Sequence, residues 1–321
     1  MTRYARQMML PEVGETGQAR LRAVHVVVVG AGGLGCPALQ YLAGAGVGRI
    51  TILDPDTIEE SNLHRQPLYR MTDLGRAKAE AASDALRALN PECLVQGHCT
   101  ALTPDNAPDL AQSADVVIDA ADSFAVSYIL SDACRDAGTP LISASALGQS
   151  GYVGAFCAGA PSLRAVFPDP PVNGATCATA GVLGPVVGVV GALQAQLALK
   201  LLLDAASPAL GQMVTLDLAN LQFGGFSFLD ATEPAQPLSY LSRRMLTGSD
   251  MVVDLRDRNE APQDMIPTAL RLSAAEVRSL PQQPGRRLVL GCATGLRAWR
   301  LAASLQDQGH DRLALMAATA C

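Results

Sequence analysis

The chain has no CxxC pair and no paired cysteine spacing, although it holds eight cysteines, at positions 36, 93, 99, 134, 157, 177, 292 and 321. Structural zinc takes four ligands at short paired spacings, so that motif is absent, and scattered thiols suit a reducing cytoplasm better than a disulfide framework. Charge is also sparse, at 17% of 321 residues with a formal net charge of −6. That balance lacks the basic surplus of a general nucleic-acid or membrane-surface binder, and neither is expected as a partner. Met1 to Leu10 carries Arg3 and Arg6 but no apolar core of signal-peptide length, and no repeat or low-complexity tract follows. What is plentiful is apolar residues, 49% of the chain, which describes a globular protein. One run, Val182 to Leu203, approaches membrane-spanning length. Pro185, Gln194, Gln196 and Lys200 interrupt it, and Gly184, Gly188 and Gly191 offer close-packing spots, so a helix buried inside the large domain is predicted instead.

Val24 to Val29 is a continuous apolar run of strand length, the mark of a central parallel strand covered on both faces. Gly30 to Gly35 breaks it and Pro37 to Ala45 continues with helical character. A strand at Arg49–Leu53, an Ala-rich helix at Arg76–Leu89 and a short strand at Leu94–His98 follow. Val116–Ile118 and Pro140–Ser143 read as strands flanking a helix at Val126–Ala137. This alternation predicts an α/β fold with a doubly wound, Rossmann-like, mostly parallel sheet. After Gly148 the pattern turns to Gly-rich extended segments, Tyr152–Cys157 and Met213–Leu218, which predict an antiparallel extension. Residues 231–237 form a polar, Pro-containing linker between a domain of residues 1–230 and a small α/β unit of residues 238–321, with strands Met251–Leu255 and Arg287–Leu290 and helix Arg297–Gln308.

G-A-G-G-L-G at 30–35 sits between a strand and a helix, where Gly30, Gly32, Gly33 and Gly35 let the backbone approach phosphate. Asp54 ends the next strand, where a ribose-binding carboxylate belongs. Alone, such a turn belongs most often to a nicotinamide or flavin enzyme. The next loop, D-P-D-T-I-E-E-S-N-L-H-R-Q at 54–66, packs acids, an amide and an arginine beside that turn. Lys78 opens the following helix and Asp122 ends D-V-V-I-D-A-A-D. Redox chemistry needs no such set, whereas phosphoryl chemistry uses cations to neutralise charge and a carboxylate to hold Mg²⁺.

In order and spacing, R-Y-A-R-Q at 3–7, G-A-G-G-L-G-C-P at 30–37, L-D-P-D-T-I-E-E-S-N-L-H-R-Q at 53–66, G-R-A-K at 75–78 and Asp122 resemble the ThiF/MoeB/HesA family over residues 3–228. These are ubiquitin-activating-type adenylyltransferases, among them the molybdopterin-synthase and thiazole-biosynthesis enzymes. The resemblance implies that Gly33 lies under the phosphates of ATP, Asp54 on the ribose, and Ser61, Asn62, Arg65 and Ser123 against the nucleotide. It implies Arg65 and Lys78 on the phosphate chain, Asp122 on Mg²⁺, and Arg6 reaching across a homodimer into the neighbouring site. Asp56 is read either as a functional acid or as a cap of the loop. The implied reaction is attack of a carboxylate on the α-phosphorus, with pyrophosphate leaving. Cys177, in N-G-A-T-C-A-T-A-G, matches the family's sulfur-handling cysteine, and Cys36 reads as a packing residue. Relatives with structural zinc carry a CxxC pair where this chain has G-A-P-S-L-R-A-V at 159–166. No zinc is therefore expected, and packing alone is expected to hold that segment.

Residues 238–321 resemble a shortened rhodanese domain through V-V-D-L-R-D at 252–257, I-P-T-A at 266–269 and C-A-T-G-L-R at 292–297. Met265 replaces the usual histidine and the chain stops soon after Leu315. A cysteine heading a strand–loop–helix turn meets converging N–H groups that stabilise a thiolate or persulfide, so Cys292 is read as an active sulfur carrier in preference to a vestigial one, with Arg297 adding positive charge or ordering the loop. Trp299 and His310 read as core and surface residues. Together the resemblances imply ATP-dependent adenylation of a small ubiquitin-like sulfur-carrier protein ending in Gly-Gly. Sulfur transfer from a persulfide donor such as a cysteine desulfurase would then give a thiocarboxylate. Adenylation of another peptide or small carboxylate, or a non-catalytic nucleotide-binding scaffold, are the alternatives.

Overall fold

The computed structural model describes residues 3–169, 181–204, 207–281 and 285–320. Its first unit is built on β1 (His25–Val29), all five residues of which are buried. Beside it lie β2 (Arg49–Leu53), β3 (Leu94–His98), β4 (Val116–Asp119) and β5 (Leu141–Leu147), all parallel in the order β3-β2-β1-β4-β5. The sheet continues antiparallel through β6 (Ser150–Phe156), β7 (Gln212–Asp217) and β8 (Gln222–Ser227) to eight strands. The fold class is thus a mostly parallel α/β sheet with an antiparallel extension, as the sequence pattern predicts. The helices are α1 (Gly14–Ala23), α2 (Gly35–Ala45), α3 (Lys78–Leu89), α4 (Ala107–Ser113), α5 (Phe124–Ala137), the one-turn α6 (Leu163–Val166) and α7 (Gly184–Leu203). Because side chains alternate along a strand, Val26 and Val28 enter one core with α2, α3 and α7, while Val27 and Val29 enter the other with α4 and α5.

The apolar run does fold into one helix, but α7 is half buried, not enclosed all round. Val186, Val187, Val190, Ala198 and Leu201 are buried, Val187 against Gly33, while Pro185, Val189, Gln196 and Lys200 are exposed. Gly191 allows a close crossing over α2, since a Cβ there would stand 2.3 Å from the Leu34 carbonyl oxygen. Gln194 is fully buried and donates to the Asp119 backbone carbonyl at 2.6 Å, so an apparent interruption of the run is an internal tie.

A second sheet, all parallel in the order β10-β9-β11-β12, comprises β9 (Met251–Asp254), β10 (Leu270–Arg271), β11 (Leu288–Cys292) and β12 (Leu313–Ala317). Helices α8 (Ala274–Arg278) and α9 (Leu296–Asp307) accompany it, and a 3₁₀ turn at Ala318–Ala320 follows β12. Residues 239–241 run beside β12, where the Leu241 N–H donates to the Leu315 carbonyl at 2.8 Å. The two sheets share one apolar cluster in which Trp299 of α9 meets Tyr128 of α5 edge-on at 4.2 Å. The Arg164 guanidinium lies 5.0 and 5.1 Å from those two rings and pairs twice with Asp132, at 2.6 and 2.9 Å.

Packing alone does not hold the 159–166 segment. The Ser162 N–H and hydroxyl both donate to the Glu233 carboxylate, at 2.6 and 2.7 Å, which staples this segment to the linker. Elements that the sequence pattern left unassigned include α1, α4, β8, β10 and β12. β8, Q-F-G-G-F-S, is an exposed edge strand whose two central glycines remove the alternation by which strands are read.

Candidate functional site

The site grows from the end of β1, where Gly30 takes φ +98° and its N–H donates to the Leu53 carbonyl at 2.8 Å. A Cβ on Gly30 would stand 2.5 Å from the Ala120 carbonyl oxygen, and one on Gly35 2.0 Å from that of Gly30, so both positions require glycine. Helix α2 then starts without a side-chain cap; the Gly32 carbonyl takes the Cys36 N–H at 2.9 Å and Pro37 has none, so the donors near an anion here are those of the glycine turn. Asp54 braces the turn from β2, accepting the Ala31 N–H at 2.7 Å and the Asp56 N–H at 2.9 Å. Burial raises its carboxyl above the ordinary range, opposed by the Ala31 hydrogen bond and by Lys78. Cys36 is fully buried and burial pushes its thiol up to about 12, which fits a packing residue.

Residues 59–66 fold over the same turn. The Asn62 amide oxygen accepts the Glu59 N–H at 3.2 Å in a capping box, and the Ser61 hydroxyl donates to Glu59 at 3.2 Å. Arg65 is half-buried, with its guanidinium donating to the Ser61 carbonyl at 3.0 Å and lying 2.8 Å from a ring nitrogen of His64. A Cβ on Gly33 would lie 3.5 Å from the Arg65 carbonyl oxygen, so this loop touches the phosphate turn. The Lys78 ammonium, buried at the start of α3, pairs with Asp56 at 2.8 Å, and Asp56 stays open to solvent. Asp56 is therefore an ion-pair partner of Lys78 and more than a loop cap.

Beyond β4, Asp122 is exposed and Ser123 precedes α5. Asp119, which the sequence analysis did not single out, is fully buried under them. It accepts the Ser143 hydroxyl at 2.7 Å and the Ala121 N–H at 3.2 Å, and burial pushes its carboxyl up to about 6. Gln66 was also missed; a Cβ on Gly32 would stand 3.6 Å from its amide nitrogen. Of four buried side-chain atoms without a hydrogen-bond partner among the described residues, three belong to stretches adjoining this turn: the amide oxygen of Gln66, which faces Gly32; that of Gln194, whose nitrogen bonds to Asp119 at the end of β4; and the hydroxyl of Ser123, which follows the Ala120–Ala121 backbone that Gly30 meets. Unpaired buried polar atoms are costly, and a cluster of them around a glycine cradle fits a polar ligand such as a nucleotide.

The structure brings the Gly30–Gly35 turn, with Gly32 and Gly33, against Asp54, the Arg65–Gln66 stretch, Lys78 and the Ala120–Ala121 backbone; Ser61 and Asn62 lie in the same loop as Arg65, and Asp122 and Ser123 follow Ala121 along the chain. Arg6 is not among them. Its neighbour Gln7 binds the Ala45 carbonyl, at the far end of the eleven-residue α2, about 16 Å of helix away from the glycine turn. Cys177 lies outside the described residues. Cys292 ends β11 in the second sheet, buried, with Arg297 paired to Glu260. Arg297 also lines a cavity of about 580 Å³ together with Arg256, Arg258, Arg271, Arg278 and Arg300, and Cys292 is not part of its lining.

A glycine cradle at the carboxyl ends of a doubly wound sheet, ringed by a buried lysine, an arginine and acids, defines a nucleotide-binding Rossmann-like protein. More narrowly, the chain belongs to the ThiF family, whose profile matches residues 4–238. It is 44% identical over 231 residues to the sulfur carrier protein adenylyltransferase of Thermus thermophilus, covering 70% of this chain and 85% of that one. It is 44% identical over 227 residues to the adenylyltransferase and sulfurtransferase MOCS3 of Drosophila grimshawi, and 47% over 214 residues to uba4 of Emericella nidulans. Those matches take in 70% and 63% of this chain but only 51% and 44% of the relatives, so the chain spans about half their length. Among solved structures, MccB of E. coli with ATP superposes with a TM-score of 0.60 at 23% identity, covering 71% of this chain and 72% of that one. MccB with MccA-N7isoASN gives 0.63 at 22%, covering 73% and 74%. These likenesses carry the fold alone.

Proposed function

We propose that the first unit, residues 1–230, adenylates the C-terminal glycine of a small ubiquitin-like sulfur carrier ending in Gly-Gly. The observation that carries this is the convergence of four separate stretches on one glycine turn flanked by unpaired buried polar atoms. The Gly30–Gly35 turn cradles the phosphates of ATP, and Asp54 holds the ribose. Ser61, Asn62 and Ser123 line the nucleotide. Asp56 occupies the Lys78 ammonium in the free protein; a triphosphate competes for it, and Lys78 and Arg65 then neutralise the phosphate chain as the carrier carboxylate attacks the α-phosphorus. Asp122, exposed at the rim, is the group to hold Mg²⁺, a hard cation that takes one or two carboxylates plus phosphate oxygens. Positioning and charge neutralisation supply the rate without a side-chain nucleophile.

Residues 238–321 act as a rhodanese-like unit in which Cys292 receives sulfur from a persulfide donor such as a cysteine desulfurase, in a cytoplasmic setting. Cys177 is a second thiol for the carrier. Arg6, remote from its own turn, serves a neighbouring site in a homodimer. The exposed Pro185–Val189 side of α7 is an apolar surface for such a contact. Zinc is not part of this function, since Ser162 and Glu233 tie the segment that zinc binds in relatives; a stoichiometric zinc atom on metal analysis would overturn that. The deciding test is ATP–pyrophosphate exchange against Gly-Gly-ended carriers, intact and lacking the last glycine. Exchange that needs the intact tail supports the proposal, and exchange with a small carboxylate alone favours a different acyl substrate.

A further inference from the structure

The fourth unpaired buried atom lies elsewhere. Tyr240, on the strand-like segment beside β12, is 5% exposed, and its hydroxyl has no hydrogen-bond partner. The ring is fixed edge-on against Trp299, with centroids 6.2 Å apart. It is pressed onto the loop that Cys292 heads. A Cβ on Gly295 would stand 2.6 Å from the ring edge and 2.8 Å from the hydroxyl oxygen, and Gly295 takes φ +83°, so the loop needs glycine there on both counts. Cys292 and Tyr240 belong to one buried cluster. Arg297 follows the loop and lines the arginine cavity.

Burying an unpaired hydroxyl is costly, and phenylalanine would fill the same space without that cost. A hydroxyl kept at such a place is explained by a partner present in another state of the molecule. The chemistry of the loop names one. We propose that the Tyr240 hydroxyl donates a hydrogen bond to the sulfur carried on Cys292, making it a catalytic residue of sulfur transfer. The proposal rests on the reading of Cys292 as a sulfur acceptor. In that step the Cys292 thiolate attacks the outer sulfur of a persulfide R–S–SH. The Sγ–S bond forms, the donor S–S bond breaks, and the donor leaves as the thiolate R–S⁻. The proton stays on the transferred sulfur, and no external oxidant or reductant is consumed. Tyr240 keeps its own proton and stabilises the anionic form of the new Cys292 persulfide. Sulfur is a larger, softer acceptor than oxygen, which suits a donor held by packing alone.

The test treats the full chain, Tyr240→Phe and Cys292→Ser with glutathione persulfide and follows one added sulfur atom by intact mass. Persulfide lifetime is read across pH, and ATP–pyrophosphate exchange and thermal melting are read on the same samples. The expected result is sulfur on Cys292 in the native chain, and about tenfold slower loading or faster loss in Tyr240→Phe. The pH at which the persulfide ionises should rise, pyrophosphate exchange should be intact, and the sulfur-free variant should melt no lower than the native chain. Equal loading and lifetime with one pH profile in both proteins would overturn the role of Tyr240. So would a variant that melts well below the native chain, because the hydroxyl would then be structural. A native chain that takes no sulfur on Cys292 would overturn the sulfur-acceptor reading and Tyr240 with it, while adenylation stands or falls on the exchange assay.

Discussion

Asp119 and Asp122 stand three residues apart in opposite surroundings. Asp122 is open to solvent, whereas Asp119 is fully buried between Ser143 and the Ala121 N–H. A carboxyl raised on folding to about 6, against an unfolded value near 3.9, contributes its full stability below about pH 4 and loses it as pH climbs through about 6. Asp119→Asn keeps a neutral side chain of the same shape. It should therefore be more stable than the native chain at pH 7.5, by roughly 3 kcal/mol, with the gap closing below pH 4. Urea unfolding at several pH values checks this, and a gap independent of pH would refute it. For Asp122→Ala and Arg65→Ala, loss of one preorganised electrostatic group should lower ATP–pyrophosphate exchange by about 10²–10³-fold with an unchanged melting temperature. Exchange at the native rate in Asp122→Ala would remove that residue from the site. The segment D-V-V-I-D-A-A-D shows three acids, and no spacing rule separates them. Their surroundings differ by burial: Asp115 accepts the His25 backbone N–H, Asp119 is enclosed and accepts the Ala121 N–H, and Asp122 is open to solvent.

At the scale of elements, β9 is held by charge as well as by the sheet. Asp254 ends it with no exposure and is paired with Arg256 at 2.8 Å and approached by Arg271 at 3.5 Å. Burial alone would raise its carboxyl, but the hydrogen bonds from Arg256 prevail and hold it below the ordinary range. A depressed carboxyl contributes stability that is present above about pH 4 and lost as pH falls through the lowered value. Asp254→Ala removes the only ion-pair partner of Arg256 among the described residues, while Arg271 keeps Asp264 at 2.8 Å, and should cost about 3 kcal/mol at neutral pH, with a smaller difference in acid. Denaturant midpoints for the two proteins at pH 7 and pH 3 would show it, and equal midpoints at pH 7 would refute it. V-V-D-L-R-D displays the acid and Arg256 in sequence, but Arg271 joins them only through the pairing of β10 with β9. Similarly, α7 was legible as a helix from its apolar run, yet which side is covered depends on Gly191 crossing α2 and on Gln194 bonding to Asp119.

For the whole molecule, the contact between the two sheets decides how it unfolds. Tyr128, Arg164 and Trp299 make one aromatic and cationic cluster across it, and the apolar core is continuous there. Calorimetry of the native chain should therefore show a single transition, coincident with the fluorescence of Trp299, the only tryptophan in the chain. Trp299→Ala should cost about 3–5 kcal/mol and split the transition in two. Two separated transitions in the native chain would show that the cluster does not couple the units. Neither Trp299 nor Arg164 could be placed at this contact beforehand, since a lone tryptophan in an amphipathic helix reads simply as core.

By itself the sequence determined the parallel α/β order, the glycine turn and the set of acids and cations around it. Each of those depends on local spacing, on backbone conformations open only to glycine, or on the period of a strand or helix. Tertiary structure alone decided that Asp119 is the buried acid, that Asp56 holds Lys78, that Glu233 staples Ser162, and that Tyr240 lies on the Cys292 loop. These are pairings between residues far apart along the chain or differences of burial, and desolvation and contact exist only once the sheets have packed.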